Sequence, residues 1–197
     1  MKSFPKLYYH GGLDRCSLTD DWDVGERGHV TCVLPPILPS QPMSICIRMG
    51  VGSFGGYTRQ SILHCGISDS AGKVYNFDEY GYHETRWHES VSVTLRTPAS
   101  DVAEQSKGKS IKVKEAQEEE WDLKLSSFHA NRLSNSKKSE YNAMLNNCYD
   151  YVTEFLNFVG WNNHSKHTKE EIIEMWLEPS ILHVENYLQM WRQAVQL

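Results

Sequence analysis

His64, Asn76 and Cys148 are the residue types that a thiol-dependent acyl transfer requires: a base, a group to orient it and a nucleophile. Local patterning brings two of them together. Ser61–Ile67 and Lys73–Phe77 read as β-strands, and the intervening Ser68-Asp69-Ser70-Ala71-Gly72 is a run of turn-forming residues. A hairpin whose turn is symmetric about Ser70 sets His64 directly opposite Asn76, with Cβ atoms about 5 Å apart. At that range the Asn76 side-chain oxygen can accept a hydrogen bond from one imidazole nitrogen, which fixes the ring and its tautomer.

The nucleophile comes much later, in Met144–Val152, where Asn146 and Asn147 precede a run with helical periodicity. Asn is a favoured N-cap, and Cys148, Val152, Phe155 and Val159 fall on one apolar stripe, with Gly160 as the stop. The thiol therefore sits in the first helical turn, where the positive end of the helix dipole and a nearby imidazole both favour thiolate. Taken singly, each of the three is an ordinary packing residue type; as a set, in three contexts that each suit a role, they point to nucleophilic catalysis. Candidate substrate contacts are Asn147 beside the nucleophile, Tyr75 beside Asn76, and Trp87 in an aromatic stretch after the hairpin.

Around these residues the pattern predicts an α+β domain. Met43–Met49 alternates as a half-buried strand, Gly50, Gly52, Gly55 and Gly56 form a loop that could face substrate, and Ser90–Thr97 extends the sheet. That glycine loop lacks the helix and lysine of a P-loop. Asp78–Glu89 reads as a polar, aromatic connection. Residues 98–120, rich in Ser, Lys and Glu, read as an exposed, partly disordered loop between the two halves of the site. Trp121–Leu133 is a candidate helix with Trp121, Leu125 and Phe128 inward. Thr168 and Glu171 form a capping box for a helix that Pro179 ends, and Ser180 caps a last helix with the stripe Val184, Leu188, Trp191 and Val195, assigned to the core. Residues 1–42 are punctuated by Gly, Pro and Asp, with one short strand near 29–34.

Composition narrows the function classes. At 197 residues the chain is long enough to bury one core unaided, and it is read as a single domain. A net charge of −5 with no basic patch argues against nucleic acid as a partner. Five cysteines without a C-x-x-C pair, no signal-peptide pattern and no long apolar run predict a cytoplasmic or nuclear protein with no membrane span. The pairs His164/His167 and His83/His88 lack companions at zinc-site spacing, so neither a metal nor any other cofactor is expected.

The stretch His64-Cys65-Gly66-Ile67 through Gly72, Val74, Tyr75 and Asn76, then Glu89–Val93, then Asn147-Cys148-Tyr149 with Tyr151 and Phe155–Asn157, resembles the makorin opposite-strand protein family across residues 44–160. An H-x-G-I strand followed much later by an Asn-Cys helix also resembles the circularly permuted papain-like superfamily. That group includes PPPDE desumoylating isopeptidases, lecithin retinol acyltransferase relatives and permuted cell-wall amidases. The resemblance implies an antiparallel sheet with the Cys-bearing helix packed on it, Cys148 as nucleophile, His64 as base and Asn76 as third residue. The implied substrate is a protein or an acylated molecule. Cys65, which follows His64, faces the other side of the sheet by alternation and is expected to be a packing thiol. The expected reaction is hydrolysis of an amide, isopeptide or thioester. The alternatives are an inert papain-like interaction protein and an acyltransferase using the same cysteine, the latter weakened by the lack of a membrane anchor.

Overall fold

Alternation of side chains over residues 37–94 builds a six-stranded antiparallel sheet. The computed structural model describes residues 4, 6–10, 15–17, 30–95, 110–135, 141–161 and 166–195. Its large sheet comprises β4 (Ile37–Leu38), β5 (Ser44–Met49), β6 (Leu63–Ser68), β7 (Lys73–Asp78), β8 (Gly81–Arg86) and β9 (Ser90–Thr94), in the order β4-β9-β5-β6-β7-β8. A smaller antiparallel sheet, β2-β1-β3, is formed by β1 (Leu7–His10), β2 (Arg15–Ser17) and β3 (Val30–Val33). The helices are α1 (Ser110–Asn135), α2 (Cys148–Val159), α3 (Lys169–Ile172) and α4 (Glu178–Val195). The architecture is therefore α+β with an antiparallel sheet, and no described helix is long and apolar enough to cross a membrane.

The two faces of the large sheet differ in chemistry. Ile45, Ile47, Cys65, Ile67, Tyr75, Phe77 and Val91 project into the main core, where they meet Trp121, Leu125 and Phe128 of α1 and Val152, Phe155 and Leu156 of α2. Each fully buried aliphatic or aromatic side chain there contributes about 1.5–3 kcal/mol. The opposite face carries a small cluster of Cys46, Val74 and Trp87 with a band of serines. Those hydroxyls stay satisfied under burial: Ser68 Oγ donates to Gln41 O at 2.6 Å, and Ser40 Oγ donates to Gly72 O at 2.5 Å.

The β6–β7 hairpin forms, but in a register two residues away from a Ser70-centred turn. Gly66 pairs with Asn76, Ile67 with Tyr75 and Ser68 with Val74. The turn is built by Asp69, whose Oδ1 accepts from Ala71 N at 2.9 Å and Lys73 N at 2.8 Å, with Gly72 at a positive φ of 78°. From outside, α1 clamps this turn. Asp122 accepts from Ser70 N at 2.8 Å and Ser70 Oγ at 2.6 Å, and Trp121 Nε1 donates to Ser68 O at 2.9 Å.

Four sequence expectations are corrected. Residues 110–120 are the first turns of α1, an exposed helix stabilised by Lys114–Glu118 and Glu120–Lys124 pairs one turn apart; the remainder of the expected 98–120 loop lies outside the described residues. Within the expected connection Asp78–Glu89, Gly81–Arg86 is strand β8, a sheet edge whose polar side chains suit its exposure. Pro179 does not end a helix. The chain passes from α3 through a π-helical stretch, Ile173–Leu177, directly into α4, and the wider turn takes up a residue with no N–H to donate. Of the α4 stripe, Val184 and Leu188 are buried with Tyr187, whereas Val195 at the end is exposed.

Candidate functional site

Helix α2 is delimited by its own sequence. The side-chain oxygen of Asn147 accepts from Tyr149 N at 2.9 Å, Asp150 Oδ2 accepts from Asn147 N at 2.9 Å, and Gly160 closes the helix in the left-handed conformation at φ 64°. Cys148 is thereby the first residue of the helix, with its backbone N–H free of any partner in its own turn. The apolar stripe lays α2 across β6 and β7 and buries the thiol, which is 2% exposed.

On the sheet side, His64 Nε2–H donates to Asn76 Oδ1 at 3.0 Å. The Asn76 amide is held in turn, its Nδ2 donating to His83 O at 3.3 Å. The two residues are diagonal neighbours, since Asn76 faces Gly66 in the ladder and His64 lies two positions further along the same face. Gly66 makes that diagonal possible. A Cβ there would sit 2.6 Å from Tyr75 O, 2.7 Å from Val74 Cγ1 and 2.9 Å from Asn76 Cβ.

Beyond Gly66–Asn76 the two strands part. β6 continues paired with β5 as far as Leu63, but its ladder to β7 stops. His64 and Cys65, consecutive residues that project to opposite faces, are the neighbours that act electrostatically on Cys148 at this opening. The Cys148 thiol pKa is lowered from 9.0 to about 5 by the hydrogen bond from the Cys65 side chain, against the opposing effect of burial, and further by the hydrogen bond and charge of His64 and by the Cys65 backbone N–H. Burial pushes the His64 pKa down, yet its hydrogen bond and charge interaction with Cys148, with help from Asn76, leave it raised. Burial holds the Cys65 thiol well above its ordinary value, so it acts as a neutral donor. With Nε2 bound to Asn76, Nδ1 is the ring nitrogen left to face the sulfur.

Cys148, His64 and Asn76 are thus brought together by three elements. The candidate substrate contacts lie in three different places. Asn147 commits its side chain to the helix cap and also donates to Ala143 O at 2.8 Å, so it positions the helix. Tyr75 points to the opposite face from Asn76, edge-on to His129 at 5.0 Å. Trp87 packs against the His64 ring at 5.6 Å and lines a cavity. The proximity of Cys65 to Cys148 was hidden at sequence level, because alternation separates it from His64 but does not say which face of the sheet α2 covers. A second buried histidine, His129, bonds Tyr151 Oη at 2.9 Å inside an aromatic cluster, and no spacing signal marks that pair.

The fold and this geometry define an α+β domain in which a helix N-terminal cysteine meets a histidine–asparagine pair on a sheet. The chain belongs to the DUF4796 C-terminal family, whose model matches residues 35–194. It is similar to the human MKRN2 opposite strand protein, 26% identical over 196 residues that cover 95% of this chain and 81% of that relative. No solved structure matches the chain.

Proposed function

We propose that the protein is a cysteine hydrolase on a permuted papain-like frame, cleaving an amide, isopeptide or thioester bond of a protein or acylated substrate. The observation that carries this reading is Cys148 at the first position of α2, its thiol pKa lowered by Cys65 and His64, with His64 held by Asn76 at 3.0 Å. In the proposed reaction the Cys148 thiolate attacks the carbonyl carbon and a C–S bond forms. The charge on the carbonyl oxygen is taken by donors that include the unpaired Cys148 N–H. Imidazolium His64 then gives its proton to the leaving nitrogen or sulfur as that bond breaks. Water attacks the acyl-enzyme, His64 takes its proton, and the thiolate is released. An acceptor other than water at this last step would make the same site a transferase. No cofactor is required, and a reducing cytoplasmic or nuclear setting would keep the thiol available.

The test is labelling of the full chain by a thiol-directed acyl probe. Cys148→Ala is expected to abolish labelling while far-UV circular dichroism and the thermal transition are retained. Persistent labelling at another cysteine would overturn the assignment. A second reading, an inert interaction protein on the same frame, draws on the 2% exposure of Cys148. Alkylation rate against pH separates the two: the hydrolase requires a reactive thiol with an inflection well below the ordinary 9.0, the inert protein one that hardly reacts at any pH.

A further inference from the structure

Arg48 and Trp87 hold two buried donors with no acceptor. Arg48 Nε and Trp87 Nε1 are both buried without a hydrogen-bond partner, and Trp87 is only 3% exposed. The guanidinium stacks on the indole, with Cζ 4.7 Å from the ring centroid, and makes no ion pair among the described residues. An unsatisfied buried donor costs about 1–3 kcal/mol, and more when it is charged. Two of them side by side point to an acceptor that arrives with a ligand.

The surroundings state the chemistry of that ligand. Arg48 and Trp87 line a cavity of about 280 Å³, to which Gly50 and Gly52 add a wall free of side chains. Two other charged groups lie on its wall and each makes a backbone hydrogen bond while keeping its charge: Arg86 donates to Ala71 O, and Glu89 accepts from Phe54 N. Arg48 differs from Arg86 in having neither a hydrogen-bond acceptor nor an ion-pair partner among the described residues. It sits directly opposite His64 in the β5–β6 ladder, and the Trp87 ring lies on the His64 ring at 5.6 Å.

We propose that this cavity binds an oxyanion, a carboxylate or a phosphate group, with Arg48 supplying charge and Trp87 Nε1 a second hydrogen bond once a small shift of the indole uncovers it. Resting on the hydrolase reading, that anion is a recognition group of the substrate, anchored beside the proposed base. Binding would also neutralise the charge that opposes protonation of His64.

The experiment titrates the full ¹⁵N-labelled chain with acetate and, separately, with inorganic phosphate at constant ionic strength, following the Trp87 indole N–H resonance assigned by Trp87→Phe. A saturable downfield shift is expected with at least one anion, and which one saturates tells carboxylate from phosphate recognition. Arg48→Gln should weaken binding about tenfold or more, with Arg48→Lys, which retains charge and packing, between the two. Cys148→Ser should bind as well as the parent, so failure of the anion site and failure of the hydrolase reading are separate results. The proposal is overturned if neither anion gives a saturable shift, or if a folded Arg48→Gln or Arg48→Lys protein shifts as the parent does in both titrations.

Discussion

A thiol with a pKa lowered to about 5 binds fewer protons in the fold than in the unfolded chain between that value and 9.0. Its ionisation therefore stabilises the fold fully above pH 9.0, and that contribution is lost as pH falls through about 5. His64, raised by its partners, has the opposite sign: its contribution is complete below the ordinary imidazole range and fades as pH rises through the folded value. The pair is consequently best stocked in its charged form near neutrality. Removing the orienting oxygen with Asn76→Ala should move the inflection of the Cys148 alkylation profile upward, and an unchanged profile would show that Asn76 does not act on the thiol through His64. Gly66→Ala meets backbone and Cβ atoms at under 3 Å and should lower stability by about 1–3 kcal/mol in urea unfolding. The partnership of His64 and Asn76 was legible from sequence for a simple reason. Strand side chains repeat every two residues, so a register error of two leaves both on the same face. The company of Cys65 was not legible, because it depends on which face of the sheet α2 covers.

At the level of elements, structure follows sequence pattern where local signals are self-sufficient. α2 carries its start, stripe and stop in contiguous residues, Asn147 to Gly160, and its ends follow them. β8 and the first turns of α1 carry no apolar period, since one is an exposed edge and the other an exposed helix, so polarity alone masked their structure. Pro179 misled in the other direction, because a π-helical stretch lets the backbone pass it. Two element-scale outcomes follow. Asn147→Ala removes the α2 cap and should cost about 1 kcal/mol, with reduced alkylation at Cys148 as the helix end frays. Asp122→Ala releases the Ser70 turn and should cost about 1–3 kcal/mol, with faster amide exchange concentrated at residues 68–74.

Across the whole molecule, distant segments brace one another. Glu185 on α4 accepts from Tyr57 Oη at 3.1 Å and pairs with Arg59 at 3.0 Å, while Arg192 donates to Tyr57 O at 2.8 Å. The far end of the chain thus fastens the loop that leads into β6, and no local pattern could have disclosed that contact. Glu185→Ala should speed proteolysis between residues 54 and 62 while changing global stability by less than about 1 kcal/mol, as exposed ion pairs contribute little. The separation of β6 from β7 carries a further consequence. One of the groups steadying the sulfur is a main-chain amide, which every amino acid except proline would supply at position 65. Side-chain replacement there can thin the thiolate's company but cannot empty it; only a change to the path of the chain could.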